Sequence, residues 1–123
     1  MTNLIMIGLG GFFGALSRYG LSTAIQKGAF PLGTLITNIL GCFLMGILVY
    51  LIQEKEVFPS SSRGFLLVGL LGAMTTFSTF SLETLRLLQN GRWLYATGNI
   101  VGSVVLCLAA VALGRLLMKL LLP

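Results

Sequence analysis

Gly69-Leu70-Leu71-Gly72-Ala73-Met74-Thr75-Thr76-Phe77-Ser78-Thr79-Phe80-Ser81 sets two glycines and five hydroxyls inside an otherwise apolar run. The run belongs to Gly64–Leu82, 19 residues without a charge, close to the roughly 20 that a helix needs to cross a hydrocarbon core of about 30 Å. An uninterrupted lipid-facing helix has no use for so many hydroxyls. Gly72 and the β-branched pair Thr75-Thr76 therefore predict a break near the middle of the span. Carbonyls freed there need a partner such as a cation or a facing helix. Phe77 and Phe80, three apart, project from nearly the same face of a helix. Such a pair usually just packs. Beside a pore, its ring edges carry the positive end of the quadrupole and would favour an anion without a formal charge.

Outward from this stretch the chain repeats one theme. Three more uncharged stretches, Met1–Ser17, Gly28–Gln53 and Trp93–Gly114, are 17, 26 and 22 residues long. Each can span a bilayer, the first with Arg18 at or inside its end. The expected architecture is all-α, one membrane domain over residues 1–123, with spans at about 3–26, 32–53, 64–88 and 93–120. The connectors, Gln26-Lys27-Gly28, Gln53 to Arg63 and Gln89-Asn90-Gly91-Arg92, are too short to fold as soluble units. With 56% hydrophobic residues, eight basic and three acidic side chains and a mean hydropathy of +0.99, the composition excludes a soluble monomer, which at this length would carry about 30 charges. The first stretch reads as a mature helix, because no basic segment precedes Leu4 and Arg18 stands where a signal would be cleaved. Cys42 and Cys107 fall within spans, so a disulfide scaffold is not expected.

Basic residues do not orient the chain. Lys55, Arg63, Arg115 and Lys119 fall on one side; Lys27, Arg86 and Arg92, with Arg18 beside them, fall on the other. Such a balance leaves the positive-inside rule undecided and permits insertion both ways, so that two opposed copies could pair about an axis in the membrane plane. It also lacks the one-sided cluster that nucleic acid or anionic lipid would require. Sixteen glycines, about twice the usual frequency, include Gly10 with Gly14 and Gly98 with Gly102, and Ala110 stands at the same spacing from Gly114. These are small-xxx-small pairs suited to close helix packing.

Polar side chains within spans mark pathways or helix seams. Arg18 either snorkels to the interface or faces an aqueous vestibule. Asn38 can bridge two helices or offer its amide N–H to an anion. Asn99, Ser103 and Cys107 recur at four-residue steps, giving a stripe of neutral donors that is either a seam or a pathway. Glu54, Glu56 and Glu83 all read as connector or connector-edge residues, leaving no buried carboxylate to couple a proton.

The chain closely resembles the CrcB/Fluc family of small bacterial fluoride channels. The resemblance covers all four spans and rests on Gly10-Gly11-Phe12-Phe13-Gly14-Ala15-Leu16-Ser17-Arg18-Tyr19, on Gly33-Thr34-Leu35-Ile36-Thr37-Asn38-Ile39-Leu40-Gly41, and above all on Gly69 through Thr84. It implies an antiparallel, dual-topology homodimer in the bacterial inner membrane, with two fluoride pores and a central structural Na⁺. By the same resemblance Phe77 and Phe80 line each pore, Asn38 lies near them at the pore end, and Gly72 and Thr75 hold the sodium through backbone carbonyls. Asn99, Ser103 and Cys107 match the family's fourth-helix polar track, although a thiol is a poorer donor than the hydroxyls or aromatic groups found there. Arg18 matches the vestibule residue, and Ser78, Thr79 and Ser81 supply further hydroxyls.

The implied function is passive, fluoride-selective export that protects against fluoride toxicity. Two rivals have the right size: a dual-topology proton-coupled exporter, which needs a membrane carboxylate, and a non-conducting scaffold subunit, which leaves the polar residues without a purpose. An enzyme is not expected: the chain has no histidine, and its sequence suggests neither a nucleophile–base pair nor a metal cluster.

Overall fold

The computed structural model describes residues 1–59 and 62–123, so residues 60 and 61 of the second connector lie outside the described residues. The described chain is helical, without strands. Helix α1 is Thr2–Ile25. Helix α2 is Leu32–Val49 and continues through a wider π-helical turn, Tyr50–Glu54. Helix α3 is the π-helical segment Gly64–Leu71 together with the short turn Gly72–Met74. After two extended residues, α4 runs Phe77–Gln89; α5 is Trp93–Leu121. Taking α3 and α4 as one interrupted span, the chain has four helical segments long and apolar enough to cross a membrane.

Close backbone approach holds the bundle together, as expected where lipid removes the hydrophobic advantage of helix association. α1 packs mainly on α3, and α2 mainly on α5. A methyl added at Gly14 would strike the Leu70 carbonyl oxygen, and one at Gly10 that of Phe65. Across the other pair, Gly46 abuts the Val111 carbonyl and Gly114 abuts that of Phe43. Of the expected small-residue pairs, Gly10 with Gly14 and Ala110 with Gly114 are buried at these crossings. Gly98 and Gly102 differ. Gly98 has only the edge of the Phe30 ring nearby, and Gly102 has open space, because that face of α5 looks away from its own bundle.

The buried apolar cluster is small: Ile52, Leu67, Leu71 and Met74, flanked by Leu21, Met45 and Leu48 among others. Leu9, Phe12 and Leu16 of α1 and Val101, Val104 and Leu108 of α5 are exposed instead. The apolar exterior fits a bilayer as solvent, and the protein is a multi-pass membrane protein.

Polar contacts close the ends of the bundle. Gln26 donates from Nε2 to the Gly28 and Phe30 carbonyls at 3.1 and 3.0 Å, and its Oε1 accepts from the Gly33 N–H at 3.0 Å, tying the first turn to the start of α2. Gly91 adopts φ +69°, the left-handed conformation that commonly stops a helix, and turns α4 into α5. Arg115 grips both Glu54 carboxylate oxygens at 2.7 and 3.0 Å. The Tyr50 hydroxyl donates to the Leu122 carbonyl at 2.7 Å, joining the ends of α2 and α5.

Candidate functional site

The break between α3 and α4 is built by three side chains. Thr75 and Thr76 are both extended, with ψ 148° and 119°. The N–H of Thr76 donates to Asn38 Oδ1 at 2.8 Å, and Asn38 Nδ2 donates to the Thr76 carbonyl at 3.1 Å. One buried amide thus replaces both backbone hydrogen bonds that Thr76 would make in a helix. Thr76 then caps α4, its Oγ1 accepting from the Thr79 N–H at 3.2 Å. Gly41, one turn beyond Asn38, leaves the space that the Thr75 methyl enters. In an unbroken helix the Thr76 and Thr79 N–H groups would bond the carbonyls of Gly72 and Thr75. Here both are committed elsewhere, so those two carbonyls lose their helical donors.

On one side of the break lies a groove of about 360 Å³ between α2, α4 and α5, walled in part by Asn38, Phe77, Phe80, Ser103 and Cys107. The two rings pair at 5.2 Å between centroids, tilted by 46°. Phe80 is only 9% exposed and Phe77 is 76% exposed, so one ring is held by the bundle while the other stands out from it. Cys42 also lines this groove.

The stripe on α5 divides. Ser103 and Cys107 face the groove, whereas Asn99 is buried and donates from Nδ2 to Thr84 Oγ1 at 2.9 Å. Thr84 in turn donates to the Phe80 carbonyl at 2.8 Å, and Ser103 donates to Asn99 Oδ1 at 3.4 Å. Asn99 therefore ties α5 to α4 directly behind Phe80, and its link to the groove runs through Ser103.

A second cleft, about 230 Å³, opens on the other side of the break between Arg18, Tyr19, Ser22, Thr34, Thr37, Thr76 and Thr79. Thr76 borders both spaces. Thr79 belongs to this cleft and accepts from Thr76 Oγ1 at 3.0 Å. Ser78 Oγ lies 3.3 Å from Thr76 Oγ1. Ser81 is exposed, its hydroxyl donating to the Phe77 carbonyl at 2.8 Å. Thr37 Oγ1 is buried without a hydrogen-bond partner among the described residues.

Glu83 corrects one expectation. It lies at the connector end of the bundle, lining a cleft with Gln26, Pro31 and Arg92, yet it accepts from the Thr34 hydroxyl at 2.8 Å and keeps its second oxygen buried and unpaired among the described residues. The bundle therefore does hold a carboxylate. It was missed because only the docking of α4 on α2 covers it; the clue was Thr34, one turn before Asn38 on the same helix face.

A family model described as CrcB-like protein, Camphor Resistance (CrcB), matches residues 5–115. The chain belongs to the CrcB family. Among curated relatives of this CrcB chain, a protein named fluoride-specific ion channel FluC from Ruminiclostridium cellulolyticum is 47% identical over 97% of this chain and 94% of its own length. Another of the same name from Magnetococcus marinus is 50% identical over 88% of this chain and 90% of its own. One from Methanosarcina acetivorans, fluoride-specific ion channel FluC 1, is 45% identical over 94% of this chain and 90% of its own.

Thr84 and Cys42 are the further seam and groove residues to which sequence reasoning gave no role in this CrcB chain, and Thr76, expected only as part of the break, is also the cap of α4. Thr76 carried a signal, standing immediately before the helix that starts at Phe77 and three residues before Thr79, as an N-cap does. Thr84 and Cys42 carried none, since their roles depend on which neighbouring helix faces them.

Proposed function

We propose that this chain is a fluoride-selective channel that lets F⁻ leave the cytoplasm passively across the inner membrane. The observation that carries this reading is the near full-length similarity to proteins named fluoride-specific ion channels. The groove agrees with it chemically. Fluoride is small and strongly hydrated, so dehydration is costly unless several donors replace water together. The second N–H of the Asn38 amide and the edges of Phe77 and Phe80 offer neutral positive ends around one path, and the Ser103 hydroxyl joins them once it turns from its long, 3.4 Å bond to Asn99. A wall without a fixed cation lets the ion leave again, while Arg18 in the neighbouring cleft would raise the local anion concentration. Hydrogen fluoride enters cells as a neutral weak acid and ionises in the less acidic interior; the negative membrane potential then drives the anion out.

The working unit in this reading is an antiparallel homodimer. A ring as exposed as Phe77 and an exposed Gly72 at the break call for cover, and a second, oppositely inserted copy would close each groove. At the axis, the Gly72 and Thr75 carbonyls of both copies would hold a Na⁺. The fit is chemical: these two carbonyls have lost their helical donors to Asn38 and Thr76, and unwound carbonyls suit a hard cation. The ion's part is to neutralise those oxygens and pin the two breaks together.

Purified protein in liposomes tests the channel. Under a potassium–valinomycin potential we expect rapid fluoride efflux, no chloride efflux at equal concentration, and no need for a proton gradient. Efflux that required a proton gradient would favour coupled transport and direct attention to Glu83. Efflux of neither anion would favour the scaffold reading. The sodium proposal predicts a separate result: replacing Na⁺ with N-methylglucamine during reconstitution should lower efflux and loosen the dimer, and restoring Na⁺ should reverse both. Identical flux and dimer stability in both media would remove the ion from the account.

A further inference from the structure

Two thiols from different helices meet in the groove. Cys42 on α2 stands one turn beyond Asn38, and Cys107 on α5 stands one turn beyond Ser103. Both are free and half-buried, and both line the same groove, one from each of two helices packed against each other. The helices that carry them cannot easily separate, since Gly46 and Gly114 bring the α2 and α5 backbones into contact one turn and two turns further on. The pair is therefore held facing across a narrow, mostly apolar space.

Soft, two-coordinate cations match that arrangement. Thiolate is the preferred ligand for soft metals, and two sulfurs from opposing helices satisfy a linear centre without a third ligand. Charge selects further. Burying net charge in a membrane interior is costly, and a divalent ion with two thiolates is neutral. Mercuric chloride, itself neutral and linear, can enter an apolar groove and exchange both chlorides. The balanced step is HgCl₂ plus two thiols giving the S–Hg–S bridge, two protons and two chloride ions, the protons leaving with water because the bound form of cysteine is the thiolate.

We propose that Cys42 and Cys107 form a binding site for a linear, soft divalent cation of the mercuric type, whose occupancy plugs the groove beside Phe80 and Ser103. The binding stands on the thiol pair alone; the block of flux rests on the fluoride reading of the groove.

The test uses the reduced, purified full-length protein with mercuric chloride. X-ray absorption on the wild type should show mercury with two sulfur neighbours, at one mercury per chain. Cys42→Ser should weaken binding by at least about a hundredfold, the usual gain from joining two ligands at one site. Mercury with one sulfur and one retained chloride, at two per chain, would overturn the site. So would undiminished affinity in Cys42→Ser. In liposomes, mercuric chloride should abolish fluoride efflux in the wild type, with Cys42→Ser, normalised to its own untreated rate, resistant at the same dose. Two-sulfur binding without block would keep the site and count against the groove as the ion's path.

Discussion

Phe80→Ile should lower fluoride efflux by up to about tenfold while leaving the fold intact. The two side chains are both large and apolar, so isoleucine refills most of the space of a ring that is already 9% exposed, and a core exchange of this kind usually costs little stability. What it cannot replace is the ring edge. Edge-to-face aromatic pairs are worth about 0.5–1.5 kcal/mol, which sets the scale for an anion at the same positive edge. A dehydrated ion is held by only a few groups at once, and a loss of about 1.4 kcal/mol at the barrier is a factor of ten in rate. Phe80 is also the ring with a defined backing: its carbonyl accepts from Thr84, and Thr84 from Asn99, so its position is set by the seam with α5. The check is efflux from liposomes beside size-exclusion and thermal denaturation of the same preparation. Wild-type efflux from a well-folded variant would take this ring out of the pathway.

Asn38→Leu should be more damaging still, and through stability. Leucine matches asparagine in size but removes the partners of both the Thr76 N–H and the Thr76 carbonyl. An orphaned buried polar group costs about 1–3 kcal/mol, so the pair together costs roughly 2–6 kcal/mol, a large part of the 5–15 kcal/mol that holds a typical protein folded. The chain could recover these bonds only by straightening the span into a continuous helix, which would displace Phe77 and Phe80. The expected result is a sharply lowered denaturation midpoint in detergent and rapid amide exchange at Thr76. An unchanged midpoint would mean that the break stands without Asn38, and that its amide serves the groove alone.

Asn38 and Asn99 are both membrane amides, and each was readable either as a donor to an ion or as a bridge between helices. The structure makes both of them bridges, Asn38 to the broken backbone and Asn99 to Thr84. Asn38 also borders the groove, because it holds a peptide that forms the groove wall, whereas Asn99 reaches that wall only through Ser103.

The number of spans, the apolar exterior and the break in the third were all legible in the amino-acid order. Each depends on local properties: uninterrupted apolar length against bilayer thickness, and β-branched residues beside a glycine where a helix is weakest. The phenylalanine pair was legible for the same reason, since residues three apart on a helix meet whatever else surrounds them. Tertiary structure decided what depends on helix rotation and on which helices touch. It turned Thr79 toward the cleft of Arg18, left Ser81 exposed, buried Glu83 against Thr34, and brought Cys42 to Cys107. A polar side chain in a membrane must find a partner, but its own sequence neighbours do not say from which helix that partner comes. Only packing, set here by the glycine contacts that bring α1 to α3 and α2 to α5, makes that choice.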